Sequence, residues 1–114
     1  MSPHPSPCLN PTDYGLILTT ADTETTAQTL AQALIRRNLA ACVSYFPLHS
    51  VYTWKGNVES GPEWQLYIKT KVSHFEAIQS LFQEIHPYEV PELVLLPLQL
   101  ASQPYLQWMA DQTA

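Results

Sequence analysis

The sequence predicts an α+β fold: a ferredoxin-like βαββαβ sandwich with a short C-terminal helix, associating with copies of itself. Three observations predict it. Apolar runs of strand length alternate with two stretches of helical period, in the order β-α-β-β-α-β-α. Two of the strands follow one another too closely for anything but an antiparallel hairpin. Aromatic residues crowd those two strands while only 13% of the chain is charged, which leaves few residues to solvate a monomer's surface.

The elements follow in order. Residues 1–12 hold Pro3, Pro5, Pro7 and Pro11 and little to bury, and read as a disordered tail before a single domain at 13–114. Tyr14–Thr20 is a nearly continuous apolar run, as in a strand at a sheet centre. Asp22 or Thr23 caps a helix whose apolar stripe is Ala27, Leu30, Ala31, Leu34 and Ile35. Arg36 and Arg37 close it, where cations complement the helix dipole. Ala41–Phe46 reads as a second strand, broken at Pro47 and resuming over Val51–Trp54. Lys55–Pro62, with Gly56, Asn57, Gly61 and Pro62, reads as a turn, and Glu63–Thr70 as the third strand. Ser73 and Glu76 are spaced as a capping box ahead of Phe75, Ile78, Leu81, Phe82 and Ile85, and Pro87 stops that helix at His86. Leu93–Leu96 is a fourth strand and Ser102–Asp111 a last helix with Pro104 in its first turn.

Right-handed crossovers place both long helices on one face of the sheet. The other face then shows Tyr45, Tyr52, Trp54 or Trp64, and Tyr67, according to register. One short helix covers too little of such a patch, so the face reads as an interface between copies.

Composition removes several function classes. The net charge is −5, and the five cations Arg36, Arg37, Lys55, Lys69 and Lys71 form no stripe, which disfavours nucleic acid. No apolar run approaches the roughly 18 residues of a membrane span, and the N-terminus lacks the pattern of a signal peptide. Two cysteines make no disulfide framework, so a reducing, cytoplasmic setting is expected. With three glycines there is no phosphate-binding loop, and no carboxylate pair or nucleophile–base pair is evident, so no enzyme is expected and no catalytic residue is assigned.

Cys42 reads first as a small hydrophobe in an apolar strand, second as a metal ligand and third as a nucleophile. None of the four histidines has a second ligand at helical spacing. His86 differs from the others because it opens the stiff run His86-Pro-Tyr-Glu-Val-Pro-Glu92, which brings together an imidazole, a phenol and two carboxylates. It reads either as a helix C-cap, charged against the dipole, or as part of a site for a metal or small ligand.

These residues carry a resemblance. Leu39-Ala-Ala-Cys42, Tyr52-x-Trp54-Lys-Gly56, Ile68-Lys-Thr70, His86-Pro-Tyr-Glu-Val-Pro-Glu92 and Tyr105-Leu-x-Trp108 together resemble the CutA family of divalent-cation tolerance proteins over about residues 14–109. The resemblance implies a tight homotrimer and a link to copper and other divalent cations, with His86 and Cys42 as the metal candidates. It also implies ligand positions late in the first strand and at the end of the second helix, where this chain has Thr19 and Ile85. By its likeness to trimeric PII-type signalling proteins, it implies a cleft for a small ligand lined by Trp54, Lys69, Tyr88 and Glu89. Three functions therefore compete: weak metal binding in cation tolerance, small-ligand sensing, and a scaffold for a protein partner.

Overall fold

The computed structural model describes residues 8–114. The strands are β1 (Tyr14–Ala21), β2 (Cys42–Trp54), β3 (Asn57–Lys71) and β4 (Val94–Pro97), and the helices α1 (Glu24–Arg36), α2 (Phe75–Ile85) and α3 (Gln103–Gln112). They form one antiparallel sheet in the order β2-β3-β1-β4. The βαββαβ sandwich with its extra helix is the one the sequence predicts.

α1 starts where Thr23 turns into an N-cap, its hydroxyl accepting the Thr26 N–H at 3.1 Å. Ala27, Leu30, Ala31 and Leu34 meet Ile78, Leu81 and Phe82 of α2 over Ile17, Ala21, Leu66 and Ile68 of the sheet. All of these side chains are buried. Ile35, at the edge of the predicted stripe, is exposed.

The hairpin is longer than the sequence reading allows. β2 runs unbroken through Pro47, and β3 begins at Asn57 rather than at Glu63. β2 is an edge strand, so alternate N–H groups point away from its partner and proline can stand among them. Beyond the Ala21–Trp64 pair β3 too loses its second neighbour, which frees Gly61 and Pro62 to pair with β2 alone. The turn shrinks to Lys55-Gly56, with φ of 50° and 82°. Two positive values mark the mirror-image turn whose twist matches a hairpin.

This hairpin stands out as an arm. The radius of gyration is 16.4 Å, against about 13 Å for a compact chain of similar length.

Other boundaries also move. The Ser73–Glu76 capping box does not form: Val72–His74 is a 3-10 turn leading into α2, and no side chain caps it. Residues 1–7 of the expected tail lie outside the described residues. Residues 9–12 are not tail-like: Leu9 exchanges two 2.8 Å hydrogen bonds with the Gln103 side chain, and Asn10 caps a short turn at Pro11–Asp13. Leu9 packs on a second small core of Tyr14, Leu106 and Met109.

Register settles which aromatics face where. Tyr45 and Trp64 pack on the helix side, edge to face at 6.0 Å, and not on the open face. Phe46 and Tyr67, Leu16 and Leu18, and Val94 and Leu96 alternate to the other side. α3 covers only one end of that side, leaving Phe46, Tyr67, Val94 and Leu96 exposed.

Candidate functional site

α2 ends because Pro87 cannot follow a helical residue, and His86 leaves it in extended conformation while its N–H still reaches the Phe82 carbonyl at 2.9 Å. The ring turns inward and is 8% exposed. Its Nε2 lies 2.9 Å from the Thr20 carbonyl oxygen, and its Nδ1 accepts the Tyr88 N–H at 3.1 Å. A carbonyl can only accept, so Nε2 carries the proton and Nδ1 offers its lone pair to Tyr88. Both nitrogens are therefore occupied in a neutral ring. Burial pushes the His86 pKa below its ordinary value, against the opposing pull of the Thr20 carbonyl and the Asp22 charge. The imidazolium expected at the helix end does not form; desolvation outweighs the dipole. His86 instead fastens the end of β1 to the connector after α2, between the rings of Phe82 and Tyr88.

Cys42 lies elsewhere. It pairs with Lys69, which pairs with Leu16, four residues along β1 from Thr20 and so about 13 Å from the His86 anchor. It is half-buried on the open face, with Ser44 Oγ 3.9 Å from its sulfur. Among the described residues no three His, Cys, Asp or Glu side chains converge as a metal site. Thr19 is fully buried with no hydrogen-bond partner for its hydroxyl, and Ile85 packs on the core. One chain thus does not fit a resident metal at any of the positions the family resemblance implied.

The residues that do converge form a cleft of about 610 Å³ where the arm leaves the body. Tyr52 and Trp54 come from β2, Glu63 from β3, and Tyr88, Glu89 and Glu92 from the connector that His86 fastens down. The Tyr88 hydroxyl donates to Glu63 Oε2 at 2.7 Å. Burial, and then that hydrogen bond to a carboxylate, hold the phenol's pKa well above its usual value, so it remains a donor. Gln65 Nε2 donates to the Thr19 carbonyl at 2.8 Å and, more weakly, to Glu92 Oε2 at 3.3 Å. At the mouth, the Lys55 ammonium is 3.7 Å from Glu89 Oε2 and 5.6 Å from the centre of the Trp54 ring. Three glutamates line the cleft and no lysine, arginine or histidine does. Such a surface attracts cations.

Of the four cleft residues expected from sequence, Trp54, Tyr88 and Glu89 are here. Lys69 is not: at the Leu16 end of β3 it lines a separate hollow of about 300 Å³, its ammonium 5.8 Å from the Tyr105 ring centre. Glu63 and Gln65 went unassigned. Their only signal is strand alternation, and that becomes useful only once the register opposite Leu48 and Phe46 is known.

The comparisons with known proteins follow the same outline. The family described as CutA1 divalent ion tolerance protein matches residues 15–112. A Xenopus laevis protein called Protein CutA homolog is 41% identical over 81% of this chain, though the chain spans only 62% of that relative's length. The divalent-cation tolerance protein CutA of Thermus thermophilus is 38% identical over 86% of this chain and 96% of its own. The solved structure of CutA from Synechococcus elongatus superposes with a TM-score of 0.87, at 38% identity, over 96% of this chain and 97% of that one.

Proposed function

The chain belongs to the CutA1 divalent ion tolerance family, and from that premise we propose that it serves divalent-cation tolerance as a non-catalytic, cytoplasmic homotrimer binding copper or other divalent cations weakly. The observation that carries this reading is the cleft with three glutamates and no cationic side chain in its lining. Carboxylate oxygens attract divalent ions, but without convergence they cannot displace the full hydration shell, and copper prefers the imidazole nitrogen that His86 has already committed. Binding in one chain is therefore weak and oxygen-based, and a tighter set requires ligands from a neighbouring copy.

The open sheet face and the projecting arm support the trimer, since a lone chain seldom exposes Phe46, Tyr67, Val94 and Leu96 together. Free thiols at Cys8 and Cys42 suit a reducing compartment. Among the described residues no helix is long and apolar enough to cross a membrane.

Calorimetric titration with Cu(II) and Zn(II) tests the metal reading. Affinity should be weak, unchanged in His86→Ala and reduced in the double variant Glu63→Gln/Glu92→Gln. Tight binding abolished by His86→Ala would overturn it. Light scattering after size exclusion tests the assembly: about three times the 12.9 kDa chain mass supports it, and one chain mass refutes it.

A second reading, small-ligand sensing, is favoured by the cleft's size. Its 610 Å³ falls within the roughly 300–1,000 Å³ of small-molecule sites and far exceeds what an ion needs.

A further inference from the structure

The Lys55 ammonium at the mouth of the cleft is held as a bound alkylammonium would be, over the Trp54 ring at 5.6 Å and beside the Glu89 carboxylate at 3.7 Å. An aromatic face and a carboxylate together are a recurring way to recognise organic ammonium groups. Deeper in, a second station is left without any cationic partner. Glu63 is turned by the Tyr88 hydroxyl, which occupies Oε2 and leaves Oε1 free, and Glu92 is held only by the long bond from Gln65. Tyr52, Trp54 and Val90 give the space between the two stations aromatic and apolar walls.

This layout discriminates between cations. A divalent metal needs several ligands on one point at about 2.0–2.6 Å, and no such cluster exists among the described residues. A flexible chain with a positive charge at each end needs the opposite: separated carboxylates with hydrocarbon-compatible surface between them. We propose that the cleft binds a linear aliphatic diamine, one ammonium on Glu63 and Glu92 and the other displacing Lys55 from Trp54 and Glu89. The proposal does not depend on the metal reading, and it assigns the cleft a ligand of its own.

Calorimetry of the full-length assembly with 1,5-diaminopentane, in the presence of a chelator, tests it without metal. n-Pentylamine and 1,5-pentanediol serve as the one-charge and no-charge probes. The diamine should bind at least tenfold more tightly than the monoamine, and the diol should not bind. Glu63→Gln should weaken the diamine tenfold or more while leaving the monoamine unchanged. Lys55→Asn removes the internal competitor and should tighten diamine binding several-fold. Trp54→Leu should weaken both amines; should that variant fail to fold, Glu89→Gln on the exposed connector reads the same station.

Equal affinity for diamine and monoamine would overturn the two-station site, and equal affinity for the diol would reduce it to an apolar hollow. Diamine binding unaffected by Glu63→Gln would be general attraction to a chain of net charge −5, and would also overturn it. Failure of copper titrations leaves these outcomes untouched, because no metal is present in them.

Discussion

The body of the molecule and its hairpin arm are made from the same two strands and obey different rules. Over Leu66–Thr70, β3 lies between β2 and β1 under two helices, and Leu66, Ile68 and Thr70 are fully buried. Over Asn57–Ser60 the same strand has one neighbour and no layer above it, and Val58 is 77% exposed. The body is held by apolar burial. The arm is held by ladder hydrogen bonds and its turn, which leaves its side chains free for other contacts. The cleft lies at the junction, where Glu63 and Gln65 occupy the last positions before β3 loses β1.

The largest break in that comparison comes from the body. Phe82 is 2% exposed between the two long helices. Phe82→Ala should cost about 3–5 kcal/mol through lost burial and the cavity left behind. Val58→Ser on the arm should cost under about 0.5 kcal/mol in a dissociated chain. Urea denaturation of both variants checks the contrast. A loss of similar size at Val58 would mean that the arm is buried in the assembly.

Next is the junction. His86→Ala removes both ring hydrogen bonds and leaves the Thr20 carbonyl unpaired, a cost of about 1–3 kcal/mol. The wild type also carries a pH signature there. His86 is harder to protonate when folded than when unfolded. The unfolded chain therefore takes up the extra proton first as pH falls below about 6.5. The stability contribution is fully present above that pH and declines below it, until the folded-state pKa is reached. Thermal melts between pH 7.5 and 5 should show this decline in wild type and a shallower one in His86→Ala. Equal slopes would mean that the ring is not the titrating group.

The body was the more legible region because burial imposes period. The stripe Ala27, Leu30, Ala31 and Leu34 and the apolar run of β1 could be read directly, and they fixed element order, topology and the helix-covered face. The arm lacked such a signal. Gly61 and Pro62 look like a turn in sequence, and only the absence of a second neighbour explains why they pair as strand. The site was half legible for a related reason. The prolines at 87 and 91 marked a stiff connector, which brought Tyr88 and Glu89 to notice. Glu63 is one polar residue in an alternating strand. Lys69 was misplaced because a lysine's position along a sheet depends on register, which the local sequence does not encode.

Thr19 sharpens the comparison from the stabilising side. Its hydroxyl is buried on the helix side of β1 without a partner, a polar atom in the region otherwise governed by burial. Thr19→Val keeps the shape and removes the orphan, so it should stabilise by about 1 kcal/mol. A denaturation midpoint that falls would show that the hydroxyl has a partner in the assembled protein.

The smallest effect is expected at the arm's tip. Lys55 holds φ at 50°, a region that costs an ordinary side chain about 1–2 kcal/mol and that asparagine enters more readily. Against this cost stand an ion pair to Glu89, with both side chains about two-thirds exposed, and a ring contact with Trp54. Exposed pairs contribute about 0.2–1 kcal/mol and are screened by salt. Relief of backbone strain should slightly exceed the lost contacts, because Asn-Gly is among the best pairs for this turn. Lys55→Asn should therefore raise stability by about 0.5 kcal/mol, and by more at high salt, where the wild-type ion pair weakens. Urea midpoints for both proteins at low and high salt measure the difference. A clear loss at low salt would mean that the Lys55 ammonium contributes more to the fold than an exposed pair can, and that the arm's tip is held down on the cleft. In that case the arm and the body would share one source of stability, and the contrast between them would end at Lys55.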